Sequence, residues 1–148
     1  MSNAIQFKIF VPGKPVSWAR ARVSRHGGMF TPPKQRAYKL MVAQAFSRAV
    51  RRAISAPVVV VLRIQLLRPR TNKTLLPATR NTSDVDNWAK MILDAGNGIA
   101  WKDDAQVVAL EVSKIWVHKA ADEGVTVQVA EVDPEEVVEA WDGQSPLN

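Results

Sequence analysis

No acidic residue precedes Asp84, and the first to appear are spaced as Asp84-Val85-Asp86-Asn87, with Lys90 four residues after Asp86 and Trp101-Lys102-Asp103-Asp104 further on. Residues two apart share a face in extended chain and diverge on a helix, so Asp84 and Asp86 converge only if Asp84 precedes a helix that Asp86 enters. Ser83 or Asp84 is then the cap. On that helix Trp88, Met91, Ile92 and Ala95 form an apolar stripe, while Asp86, Lys90 and Asp94 recur every fourth residue on the opposite side. Trp101, anchored in the core, would hold Asp103 or Asp104 near the start of the next strand, so that three carboxylates meet. Carboxylate oxygens suit Mg²⁺ or Mn²⁺ and leave coordination positions for water and a phosphate oxygen. Lys90 then supplies a point charge for the phosphate or the leaving oxygen. A D-x-D pair alone is usually a cap or a surface acid; Asn87, Lys90 and the downstream Asp-Asp pair are what sharpen it into a metal centre.

The charge distribution points the same way. Residues 1–83 hold sixteen of the twenty Lys and Arg and none of the fourteen Asp and Glu, which leaves a basic first part and an acidic remainder under a net charge of +6. A basic surface that delivers a polyanion's backbone to a small acidic centre is the arrangement of a metal-dependent nuclease. With no cysteine, disulfides, thiolate zinc sites and a cysteine nucleophile are excluded, and the usage fits a cytosolic protein. No apolar run reaches membrane-spanning length and no secretory signal is seen; Ser2-Asn3-Ala4 reads as a cloning remnant outside the fold.

The elements that must position these groups follow from periodicity. Ile5, Phe7, Ile9 and Val11 alternate up to Pro12-Gly13 and predict an opening strand. A basic loop comes next, with Lys14, Arg20, Arg22 and Arg25 beside Trp18 and Phe30; it is either a DNA contact or a solvated connector. Thr31-Pro32 opens a helix over about residues 33 to 54, whose outer face carries Arg36, Lys39, Arg48, Arg51 and Arg52, either solvated or tracking phosphates. Val58 to Leu67 reads as a central strand covered on both faces. The aperiodic stretch from Arg68 to Ser83 carries Arg70, Lys73 and Arg80, and is long enough to be functional or partly mobile. A helix near 86–97, a strand from Val107 to Val117 and one through Val125, Val127 and Val129 complete a single domain over residues 1–148, with an acidic tail over 131–148. The fold class expected is α+β: a small mixed sheet of about four strands packed with two helices.

These residues resemble the RusA-type Holliday junction resolvases. The resemblance is carried by Asp84-x-Asp86-Asn87-x-x-Lys90-x-x-x-Asp94 and Trp101-x-Asp103-Asp104-Ala105-Gln106-Val107-Val108, with Gly13-Lys14-Pro15-Val16, Arg20-x-Arg22 and Thr31-Pro32 upstream, over about residues 5 to 130. It implies an Mg²⁺-dependent, homodimeric endodeoxyribonuclease of phage or prophage origin, with Mn²⁺ able to substitute. It also implies branched DNA as substrate, with Asp84, Asp86 and Asp104 in the metal-binding positions and Lys90 as the catalytic lysine. Two departures stand out: Ala21 replaces a proline common between the two arginines, and Thr82-Ser83 replaces basic residues, leaving Arg80 as the nearest cation. A two-fold homodimer would cut both strands of a four-way junction symmetrically. Lys14, Arg20, Arg22, Arg25, Arg68, Arg70, Lys73 and Arg80 are the candidate DNA contacts.

The remaining residues carry one or two readings each. Asn87 is a candidate support of the site. Asp94 is the expected ion-pair partner of Lys90, and Asp103 either orients Lys90 or a metal-bound water, or is a turn acid. Trp18 or Phe30 either wedges into opened base pairs or anchors in the core. Trp88, Trp116 and Trp141 are expected in the core or an interface, and His26 and His118 at the surface. The rival functions are a flap or fork nuclease, a DNA-binding module without catalysis, and a nucleotide-sugar transferase using Asp84-Val85-Asp86; no membrane or small-molecule partner is expected.

Overall fold

The computed structural model describes residues 5–19, 22–30 and 32–135. Arg20, Ala21, Thr31, Trp141 and most of the acidic tail lie outside the described residues, as do the side chains of Arg22 and Phe30, and with them the expectations placed there.

Four strands form one mixed sheet: β1 (Ile5–Pro12), β4 (Val58–Leu67), β5 (Val107–Val117) and β6 (Gly124–Glu131), in the order β1-β6-β4-β5. β6 runs antiparallel to both β1 and β4, while β4 and β5 are parallel. A parallel pair needs a crossover, and here the crossover is helix α2 (Val85–Gly96). Helix α1 (Pro33–Ala49) joins it, so the α+β class and its four strands and two helices are as expected. A further hairpin of β2 (Arg22–Val23) and β3 (Met29–Phe30) lies within the basic loop, where the sequence predicts no strand.

The core lies between the helices and one face of the sheet. Every second residue of β4 is buried, from Val58 through Val60, Leu62 and Ile64 to Leu66, whereas Val59, Val61 and Gln65 between them are half-buried and Arg63 and Leu67 are exposed. The expectation of two covered faces is therefore corrected. A β-branched run favours extended chain whether or not its second face is covered, so composition alone did not reveal the alternation. Tyr38, Val42 and Phe46 of α1 and Trp88, Met91, Ile92 and Ala95 of α2 close over this face, as their helical spacing predicts.

Helix α1 stops at Ala49, five residues short of the expected end, because Val50 turns to extended backbone and Ile54 is claimed elsewhere. The Ile54 N–H donates to Ala100 O at 2.9 Å, and its carbonyl accepts from Lys102 N–H at 3.2 Å. Helix α2 ends where Gly96 allows Trp101 to close in. A Cβ there would stand 2.9 Å from the Trp101 ring and 3.2 Å from Phe46, so only glycine lets the helix end and the indole pack this tightly. Phe46 meets Trp101 edge-on at 5.7 Å between ring centres. None of the described helices is long and apolar enough to cross a membrane.

Candidate active site

Asp84 is the N-cap of α2, in extended backbone, and its side chain makes no capping hydrogen bond. Asp86 lies in the first turn, and Lys90 stands one turn beyond it; all three are exposed. Lys90 Nζ pairs with Asp94 at 3.4 Å, as the four-residue spacing predicts, and also lies 5.1 Å from the centre of the Trp18 ring. Trp18 is thus a half-buried support under the lysine. Its backbone N–H donates to Asn87 O at 3.0 Å, so the contribution of Asn87 seen here comes from its carbonyl. Ser17 and Ser83 share a hydrogen bond of 2.7 Å between their hydroxyls. The loop after β1 is stitched to the start of α2 on both sides of Asp84.

Asp104 opens a short 3₁₀ turn (Asp104–Gln106) at the head of β5. Its Oδ1 accepts from Trp101 Nε1 at 2.6 Å, and its backbone N–H donates to Asn97 Oδ1 at 3.2 Å. The turn is moored to the segment that leads into β4 by Gln106, whose Nε2 donates to Ile54 O at 2.7 Å and to Ala56 O at 2.9 Å. Asp103 caps the same turn: its Oδ1 accepts from Ala105 N–H at 2.8 Å while Gln106 Oε1 accepts from the Asp103 N–H. Of the two readings given to Asp103, the turn acid describes the contacts it makes.

These placements bring Asp86, Lys90, Asp94 and Asp104 around one open cleft of about 420 Å³, floored by Leu110 and Val112 of β5. Asp84 is not among the residues lining it. Among the described residues no group of three or more His, Cys, Asp or Glu is drawn together tightly enough to hold an ion. The sequence pattern thus leads to a cleft shared by Asp86 and Asp104, with Asp84 at the adjoining helix start. Two carboxylates with hard oxygens are the donor set Mg²⁺ accepts, since it keeps several waters and takes one or two carboxylates plus substrate phosphate.

Residues 12–130, from the last residue of β1 almost to the end of β6, match the family described as endodeoxyribonuclease RusA. The chain belongs to the RusA family. It is also 32% identical over 145 residues to a Bacillus subtilis (strain 168) protein named Uncharacterized protein YqaN, an alignment covering 88% of this chain and 98% of that one. RusA membership implies endodeoxyribonuclease activity and a branched DNA substrate.

Lys114 is a residue of this RusA chain that its sequence did not mark. In register beside Ile64, it lies on the helix-covered face of β5. Its Nζ donates to Thr82 Oγ1 at 3.0 Å and to Ser83 O at 3.1 Å, and it lies 5.8 Å from the centre of the Trp88 ring. The one signal available was a lysine among the otherwise apolar positions Leu110, Val112 and Trp116 on one face of the strand, which has to find partners if it is to stay charged. Of the candidate DNA contacts, Lys14, Arg25, Arg70, Lys73 and Arg80 are exposed. Arg68 is half-buried and turns its Nε onto Asn72 O at 2.8 Å, closing the loop after β4. His26 and His118 are at the surface as expected.

Proposed function

We propose that this chain is a divalent-metal-dependent endonuclease of the bacterial cytoplasm, encoded by a phage or prophage, that resolves four-way DNA junctions by paired, symmetric cleavage as a homodimer. The observation that carries the reading is the shared cleft of Asp86, Lys90 and Asp104 in a RusA-family chain whose residues 1–83 carry no acid. Asp86 and Asp104, with Asp84 beside them, are the residues that would hold Mg²⁺ or Mn²⁺. When bound, such an ion lowers the pKa of a water and offsets charge on the attacked phosphate.

The protein's own groups supply the rest. Asp86 and Asp104 hold negative charge at the cleft before substrate arrives. Trp101 Nε1 fixes one oxygen of Asp104 and so orients the carboxylate. Lys90, steadied by Asp94 and by the Trp18 ring, offers a compact positive charge to the phosphate as its negative charge grows. Lys14, Arg25, Arg70, Lys73 and Arg80 draw the backbone of the branched substrate in, without reading its sequence. A two-fold dimer presents one such cleft to each of the two symmetry-related strands.

The test is Asp86→Asn on a four-way junction in Mg²⁺: binding persists and cutting disappears. Undiminished cutting would remove Asp86 from the site. Flap, fork and linear duplex substrates at the same salt concentration identify the preferred structure, and gel-shift binding with no cleavage of any of them would make the wild-type chain a binding module.

A further inference from the structure

A second cavity lies on the far side of the Asp84 segment, and we propose that it receives an unpaired nucleotide of the branched substrate, with the base inside and the phosphate toward Lys14 and Lys73. This takes DNA as substrate from the function proposed above and goes beyond it in assigning a separate subsite. The cavity measures about 740 Å³, larger than the cleft that holds Asp86. That is within the range of sites that enclose small organic groups. Ser83, the residue before Asp84, forms part of its wall, so a nucleotide held here is next to the strand at the candidate active site.

The chemistry of the wall fits a nucleobase. The half-buried indole of Trp116 offers flat apolar surface, with the buried Trp88 also in the wall, and base-on-aromatic stacking accepts any base because each has a π face. Trp88 is 4% exposed, yet its Nε1 has no hydrogen-bond partner, and the buried hydroxyl of Thr79 in the same wall has none either. Buried donors left open in this way are rare and call for an explanation, which a base held in this cavity would supply. The exposed amide of Asn81 adds both a donor and an acceptor at the wall.

The charges sort correctly as well. Lys14 and Lys73 come from loops far apart in sequence and meet at this one cavity, where they suit a phosphate. Glu123, the acidic residue of the wall, is already occupied: its Oε2 accepts from Leu67 N–H at 2.8 Å. Bases next to a strand exchange point are the ones most easily drawn out, because extrusion is least costly where pairing is already broken.

The experiment is a double-mutant cycle on binding, run in the cleavage-deficient Asp86→Asn background. Four-way junctions carry an abasic residue at each nucleotide flanking the exchange point in turn, and are titrated against Asp86→Asn and Asp86→Asn/Trp116→Ala. At one position the missing base weakens binding about tenfold when Trp116 is present, and has little effect when it is absent. Equal losses with and without Trp116 at every position, or no loss at all, overturn the proposal and leave a water-filled cavity. If Trp116→Ala fails to fold, Asn81→Ala takes its place in the cycle, since that side chain is exposed. Failure here is distinct from failure of the nuclease reading: wild-type chain that cuts intact junctions in Mg²⁺ without showing the coupling loses only the subsite, and coupling without cutting loses only the catalysis.

Discussion

Trp101 Nε1 donates to Asp104 Oδ1 at 2.6 Å, and this joins a candidate metal ligand at the surface to a wholly buried indole. The ring is fixed by Phe46 on one side and by the glycine end of α2 on the other, so the carboxylate inherits the rigidity of the core. Trp101→Phe keeps most of the packing and loses the donor. We expect it to raise the Mg²⁺ concentration needed for half-maximal cleavage by roughly tenfold to a hundredfold, the range typical for removing a group that orients a ligand. A metal titration of junction cleavage checks this, and an unchanged midpoint would detach Asp104 from the metal.

Lys114 ties β5 to the two residues that precede Asp84. Replacing it with Met keeps the length and removes both hydrogen bonds, which as charge-assisted bonds contribute about 1.5–3 kcal/mol each when lost from a partly buried site. The segment Thr82–Ser83 then loses its anchor. Lys114→Met should lower the cleavage rate about tenfold or more while changing junction affinity much less, and Lys114→Arg should restore part of the rate. Parallel measurement of binding and of single-turnover cleavage separates the two. An equal fall in both would make Lys114 a purely structural residue.

The strands β1 and β6 and the stripe on α2 were readable because each rests on local periodicity, as in Ile5, Phe7, Ile9 and Val11 or Trp88-Met91-Ile92-Ala95, whereas β4 and β5 were readable as apolar, β-branched runs such as Val58 to Leu67. The pairing of Lys90 with Asp94 was readable from periodicity too, since four residues on a helix is one turn. What the chain hid was decided between distant segments. The end of α1 depends on Ile54 meeting Ala100 and Lys102, the role of Trp18 on its position beneath Lys90, and that of Lys114 on a loop distant in sequence. The β2–β3 hairpin has only two residues in each strand, too few for alternation to register. The three-way meeting of Asp84, Asp86 and Asp104 was inferred from spacing, and backbone spacing fixes neighbouring elements better than it fixes the directions of exposed side chains.

Tyr38 lies in the core with its hydroxyl buried and unpartnered. Burial disfavours the phenolate and pushes its pKa well above the ordinary 10.0. Above that pH the unfolded chain ionises this phenol and the folded chain does not, so the folded state loses stability from this source as pH rises through the interval above 10.0, and gains nothing from it at neutral pH. Tyr38→Phe removes both the unsatisfied hydroxyl and the titration. Urea unfolding at neutral pH should show the variant as stable as the parent or more so by up to about 1 kcal/mol, with the advantage growing in alkali. A less stable variant would mean that the hydroxyl has a partner, such as a bound water.

The basic residues divide into those beside the site and those on α1 and just past its end, and salt dependence separates them. Each phosphate neutralised contributes about 0.9 to the slope of log K against log salt on duplex DNA. Lys14 and Lys73 border the cavity whose wall includes Ser83, the neighbour of Asp84, whereas Arg51 and Arg52 border another cavity whose wall includes neither Ser83 nor any candidate catalytic residue. Lys14→Ala with Lys73→Ala should therefore flatten the slope by about two for junction binding, and Arg51→Ala with Arg52→Ala should leave it unchanged. If the arginine pair flattens the slope instead, the DNA crosses the end of α1 rather than the loops, and the path of the substrate drawn through Lys14, Lys73 and the cleft of Asp86 is wrong even where the cleavage chemistry is right.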